Sequence, residues 1–171
     1  MNNFKSGKAK SEAYYEPSLE GRVAMRRVEW LGRRCDPKTL RAHQLMEDHL
    51  VTCQPTDSAL VAAHKFYEGN CGSVPVVDKD YALLGLVSEY DLLCLMEAEK
   101  DLRNIPVSEI MSHEVVTIIE DTPFLDILRL LQKHHLLRVP VLSGRTLKGI
   151  LARRDVLLGY IKAIDVGAGG P

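Results

Sequence analysis

The chain has 171 residues, 46% of them hydrophobic, with a formal net charge of −1; that is enough apolar material for a core in one compact domain or two fused halves. No run approaches the roughly 18 apolar residues that span a bilayer, and the polar, basic start from Met1 to Lys10 is not a secretory signal, so the expected compartment is the cytoplasm. Cys35, Cys53, Cys71 and Cys94 lie far apart without a CxxC pair, which argues against a zinc knuckle or a disulfide framework and leaves buried free thiols as the expectation.

In chain order, residues 1–45 come first, with ten Lys/Arg against five Asp/Glu, whereas the rest of the chain holds twelve against eighteen. A basic extension therefore precedes an acidic body, with a boundary near Leu45. Between Leu19 and Leu31 the extension carries Leu19, Val23 and Leu31, and less regularly Met25, Val28 and Trp30, among Arg22, Arg26, Arg27, Arg33 and Arg34. A basic amphipathic helix or arm packed on the body or on a second subunit is expected; nucleic acid or an acidic protein partner is the alternative. Only Trp30, with the more distant Tyr14 and Tyr15, is available to stack on bases.

The body opens with a short β-rich run, Leu50 to Cys53, followed by a capped amphipathic helix over Ser58 to Glu68. Two apolar runs, Val74 to Val77 and Leu83 to Val87, read as strands joined by the turn Asp78-Lys79-Asp80, and Glu89 to Glu99 reads as a second helix. A linker around Asn104-Ile105-Pro106 follows, where Pro106 discourages helix at Ile105. The same series then repeats: strand Val115 to Ile119, helix Pro123 to His134, strands Val139 to Leu142 and Leu147 to Leu151 around Ser143-Gly144-Arg145, and helix Arg153 to Ala163. Residues 166–171 form a glycine-rich tail that is expected to be disordered.

At an offset of 65, Met46 matches Met111, Val51-Thr52 matches Val116-Thr117, Leu60 matches Leu125, and Val74-Pro75-Val76 matches Val139-Pro140-Val141. One residue is lost in the second turn, after which Leu83, Gly85 and Asp91 match Leu147, Gly149 and Asp155 at an offset of 64. A unit of this size cannot readily bury its sheet alone. The expected fold is therefore α+β (mixed α/β): two β-α-β-β-α repeats, 46–100 and 101–165, packed sheet to sheet with pseudo-two-fold symmetry behind the extension 1–45.

The pattern Met-x(4)-Val-Thr, then Val74-Pro75-Val76-Val77-Asp78, then Gly85-Leu86-Val87-Ser88-Glu89-Tyr90-Asp91, resembles the CBS-domain signature. The second copy reads Met111…Val116-Thr117, Arg138-Val139-Pro140-Val141 and Gly149-Ile150-Leu151-Ala152-Arg153-Arg154-Asp155. The resemblance covers about residues 46–165 and implies a stand-alone CBS pair, or Bateman module, that binds an adenine nucleotide in two clefts built from both copies. AMP, ADP or ATP is the ligand it implies, with NAD and S-adenosylmethionine as alternatives. Transferred position by position, one cleft would combine Ser88 and Asp91 with Thr117, Thr122, Arg138, Val139 and Pro140. The other would combine Arg153, Arg154 and Asp155 with Thr52, Ser73, Val74 and Pro75. In each the Asp would take the ribose hydroxyls. A flat, disc-like homodimer and an unidentified protein partner complete what the resemblance implies.

Residue chemistry ranks the clefts. Ser88-x-x-Asp91 is also a capping box, and a capped helix start presents free N–H groups to a phosphate. Thr122-Pro123 fits an N-cap with proline at the first helical position, and Asp57 is the matched cap in copy one. A carboxylate there would repel polyphosphate, and Ala152 has no hydroxyl with which to cap, so the Ser88 cleft is expected to be the better equipped. Arg138 is its expected phosphate ligand, because a guanidinium offers a planar fork of donors. Arg153 and Arg154 sit where the helix dipole disfavours cations, and a nearby anion would relieve them. Adjacent His134 and His135 diverge by about 100° on a helix and lack further ligands at metal spacing, so no metal is expected. No nucleophile–base arrangement or phosphate-binding glycine loop appears, and the chain reads as a regulatory module rather than an enzyme, with no catalytic cofactor. The other reading is a dimeric interaction scaffold with empty clefts, acting through its basic extension.

Overall fold

The computed structural model describes residues 35–165, so the stretch from Leu19 to Leu31 and the tail 166–171 lie outside the described residues. A 3-10 turn, Pro37–Thr39, is closed by Asp36, whose side chain accepts the Lys38 N–H at 2.9 Å. The short helix α1 (Ala42–Leu45) follows. In the first copy, α2 (Ala59–Glu68) starts at Ser58, whose Oγ accepts the Val61 N–H at 3.3 Å, and buries Ala59, Ala62 and Phe66 along one face. Strands β1 (Ser73–Val77) and β2 (Leu83–Ser88) then form an antiparallel hairpin. Its turn is held by Asp78 Oδ1, which accepts the N–H groups of Asp80 and Ala82, each at 2.9 Å. Helix α3 (Glu89–Glu97) leaves directly from β2.

The second copy repeats the plan with β3 (Ile118–Ile119), α4 (Phe124–Lys133), β4 (Arg138–Ser143), β5 (Thr146–Ala152) and α5 (Arg153–Asp165). Strand β3 pairs parallel to β4, and β4 pairs antiparallel to β5 through a turn in which Gly144 adopts φ 61°. That left-handed position is where glycine is needed. The first strand of copy one, expected over Leu50 to Cys53, shrinks to the single bridge Cys53–Val76, with Cys53 N–H on the Pro75 carbonyl at 2.9 Å. The preceding rung would need an N–H on Pro75 for the Val51 carbonyl, and proline has none, so the ladder cannot extend back toward Leu50. In copy two the corresponding strand keeps only Ile118–Ile119 of the expected Val115 to Ile119.

The two copies are interlocked through the segments that precede them. Leu40, Ala42, Leu45 and Met46 are buried not with copy one but with Ile118, Phe124, Ile127, Val139, Leu151 and Val156 of copy two. Val107, with partly buried Ile105 and Met111, packs in turn among Cys53, Ala62, Phe66, Val74 and Val87 of copy one. Backbone pairing follows the same exchange: Glu47 bridges Ile150 while Ser112 bridges Leu86, and Arg41 bridges Pro123 while Pro106 bridges Ser58. Ala82 and Thr146, matched positions of the two repeats, bridge each other, with Leu83 N–H on Arg145 O and Leu147 N–H on Tyr81 O. Reciprocal contacts between matched residues are what a two-fold axis produces, and this bridge lies on it.

The exchange accounts for two signature positions. A Cβ on Gly149 would collide with Met46, and one on Gly85 would meet Met111 Sδ and the Ser112 carbonyl at 2.8 Å. Each glycine thus receives the methionine of the other copy's leading segment. On the outer side, Leu93 (58% exposed), Met96 and Tyr90 of α3, and Leu157 (62%), Tyr160, Ile161 and Ile164 of α5, face solvent. Leu92 and Val156, next in the chain to Leu93 and Leu157, are buried, because each points one step around its helix into its own sheet. No helix among the described residues is long and apolar enough to cross a membrane.

Candidate functional site

Both β-hairpins end in the same device. At the start of α3, Asp91 Oδ2 accepts the Ser88 N–H and the Ser88 hydroxyl, each at 2.7 Å, completing a reciprocal capping box. At the start of α5, Asp155 Oδ2 accepts the Ala152 N–H at 2.7 Å, so the carboxylate caps without a hydroxyl partner. Asp155 is only 4% exposed. Burial raises its carboxyl above the ordinary range, with the Ala152 N–H, Arg154 and Arg138 pulling it down and Glu47 pushing the same way as burial. Arg154 Nε lies 3.7 Å from Asp155 Oδ1.

The residues one step into these helices also correspond. Glu89 N–H bonds the Gly72 carbonyl and Arg153 N–H bonds the Leu137 carbonyl, both at 3.0 Å. The Glu89 carboxylate lies against Gly72, 2.8 Å from where a Cβ there would stand. Arg153 Nε donates to the Leu136 carbonyl at 2.5 Å. The side chains thus fold back over matched segments, one carrying a negative charge and the other a positive one.

Arg138 stands between the two sets. Its Nη1 donates to the Ser73 carbonyl at 3.5 Å, a long bond. Its charge acts on Asp155 and on Cys71, whose thiol is nonetheless raised, burial outweighing the guanidinium. In the ladders Arg138 is opposite Ala152 and Ser73 is opposite Ser88. Arg138, expected with Ser88 and Asp91, therefore reaches Ser73, which is expected in the other cleft and is paired with Ser88.

The remaining expected residues are placed as follows. Thr122 does not cap its helix: Pro123 occupies the N-cap, and Thr122 Oγ1 accepts the Ile119 N–H at 3.1 Å, closing the turn before it. Asp57 does the same in copy one, accepting the Gln54 N–H at 3.0 Å, while Ser58 caps. Nor is Asp57 a bare charge, since Lys65 Nζ sits 2.8 Å from Oδ2 and also donates to the Thr52 carbonyl at 2.7 Å. Burial alone would raise the Asp57 carboxyl, but the Lys65 and Gln54 hydrogen bonds outweigh it and hold it below its ordinary range. Val74 and Val139 have no accessible surface, and Pro75 and Pro140 are buried beside them in the sheet centres. Their visible role is to hold the strands. Thr117 is half-buried and Ser73 buried.

Glu47, Glu89 and Cys71 did not emerge from sequence reasoning. Glu89 was legible by laying it on Arg153; Glu47 reaches Asp155 only through the exchanged segment. Glu47, Asp48 and His49 bring their donor atoms together, with His49 Nδ1 3.5 and 3.3 Å from the two carboxylates. The His49 N–H already bonds Glu47 Oε1 at 2.7 Å, so a local turn accounts for the approach. A recess of about 490 Å³ lies at the linker, lined by Leu60, Glu99, Lys100, Asp101, Leu102 and Arg103, and includes none of the site residues above.

Comparison with known proteins adds three findings. The family description "CBS domain" matches residues 42–98 and 107–161. A Bacillus subtilis protein, YlbB, is 33% identical over 115 residues, 67% of this chain and 78% of YlbB. In two other relatives the match spans only 32% and 34% of the relative's length. Among solved structures, AcuB from Vibrio cholerae is 25% identical with a TM-score of 0.70, over 78% of this chain and 99% of that one. CBSX2, solved in complex with AMP, is 26% identical with a TM-score of 0.65, over 71% and 96%.

Proposed function

The chain belongs to the CBS-domain family, and on that premise we propose that it is a non-catalytic regulatory module that binds an adenine nucleotide at the paired helix starts. The observation that carries this reading is the pair of aspartates, Asp91 and Asp155, held at matched positions by the backbone N–H of the residue three before. Each has one oxygen engaged in the cap, which orients the other for a ribose hydroxyl. CBSX2, similar in fold and solved with AMP, supports the ligand class. AMP, ADP and ATP are the ligands to test, with NAD and S-adenosylmethionine as the alternatives.

Occupancy acts by shifting an equilibrium, and only through different affinity for the two states. The exposed apolar faces of α3 and α5 support a homodimer as the assembly that reads the shift. Cytoplasmic location belongs to the same reading. Calorimetry with this panel on the wild type, Asp91→Ala and Asp155→Ala tests it. Saturable heat that at least one substitution abolishes is the expected result; no heat with any ligand refutes nucleotide sensing.

A further inference from the structure

We propose that the two clefts sort ligands by charge: phosphate is taken beside Arg153 and Arg154, and Glu89 bars it from the Ser88–Asp91 cleft, which accepts only an uncharged or cationic adenosine derivative. This rests on the nucleotide reading above and reverses the ranking that residue chemistry alone suggests. Two grounds for that ranking do not survive in three dimensions. Asp57 is neutralised by Lys65, and Thr122 sits in the turn before α4, its oxygen accepting the Ile119 N–H, rather than at the helix N-cap.

What separates the clefts is the first residue of each helix. Glu89 and Arg153 are related by the pseudo-two-fold axis, as their matched 3.0 Å bonds to Gly72 O and Leu137 O demonstrate. At α3 the first turn presents two carboxylates, Glu89 and Asp91. At α5 it presents Arg153 and Arg154 beside one buried carboxylate, Asp155. Arg153 holds its guanidinium on the Leu136 carbonyl, whereas Arg138 reaches the Ser73 carbonyl and stands between the two helix starts. Glu47 bridges Ile150 on the adjoining strand, so two arginines accompany two acids there, whereas the first turn of α3 holds two acids and no arginine. A unit charge a few ångströms from a phosphate at a partly exposed site shifts its affinity by about tenfold or more, enough to decide occupancy.

The test uses the full chain, with AMP and adenosine as probes that differ only by the phosphate. The wild type is expected to bind one AMP per chain. Glu89→Arg is expected to raise this to two, and Arg153→Glu to weaken AMP about tenfold or more while leaving adenosine within about twofold. Thermal melts of both variants, altered only at exposed positions, confirm folding. Two equal AMP sites in the wild type, or AMP lost in Asp91→Ala but kept in Asp155→Ala, would overturn the charge assignment alone. Absence of binding by AMP and adenosine alike overturns the nucleotide reading and this inference with it.

Discussion

Cys53 and Cys94 show how far burial separates two thiols of one chain. Burial pushes the Cys53 thiol from its ordinary 9.0 to about 11, against Lys65 and with help from Asp57 and Cys71. Cys94 is exposed on α3. Iodoacetamide at pH 8 should therefore modify Cys94 in the native protein and reach Cys53 only after denaturation, as peptide mass mapping would show. The raised value also sets a sign. Between about 9 and 11 the unfolded chain loses this proton first, so stability falls as pH rises through that window. Asp57 behaves in the opposite way. Its lowered pKa means that the Lys65 pair contributes above the ordinary carboxylate range and is lost as pH falls through the folded-state value. Asp57→Asn should cost about 1 kcal/mol at neutral pH in urea unfolding, and nothing once the carboxyl is protonated.

Among the elements, the leading segments matter most, because each completes the other copy's sheet. Leu45→Ala should cost about 2–5 kcal/mol. Hydrogen exchange should show the loss in α4 and α5, whose core Leu45 joins, ahead of α2 and α3; equal loss in all four would argue against the exchange. Gly85→Ala and Gly149→Ala should each destabilise by about 1–3 kcal/mol. The larger effect belongs to Gly85, where the obstacle includes the Ser112 backbone carbonyl as well as a methionine. Most elements were legible from apolar spacing and turn chemistry: α2 begins within a residue of the Ser58 expectation, and α3 and α5 begin where Glu89 and Arg153 mark them. The first strands were not, because whether Leu50 to Thr52 pair depends on backbone donors across the sheet, and Pro75 supplies none.

For the whole molecule, α3 and α5 leave Leu93, Met96, Leu157 and Tyr160 in solvent on matched helices, and Leu93→Glu with Leu157→Glu should convert a dimer to a monomer in light scattering while leaving the melt of the single chain intact. A wild-type monomer at micromolar concentration would remove the dimer from the functional reading. The repeat itself, its strand and helix order, and the aspartates three residues beyond each hairpin were determined by sequence alone, since spacing within a repeat survives whatever the copies do in space. Tertiary structure decided the rest. Only folding exchanges the leading segments, pairs Asp57 with Lys65, and brings Arg138 to the Ser73 carbonyl. These are contacts between groups tens of residues apart or on different elements, and no local periodicity encodes them. Electrostatic character in particular is set by which charges end up neighbours, so Glu89 and Arg153, unremarkable as letters, become opposite signs at one repeated position.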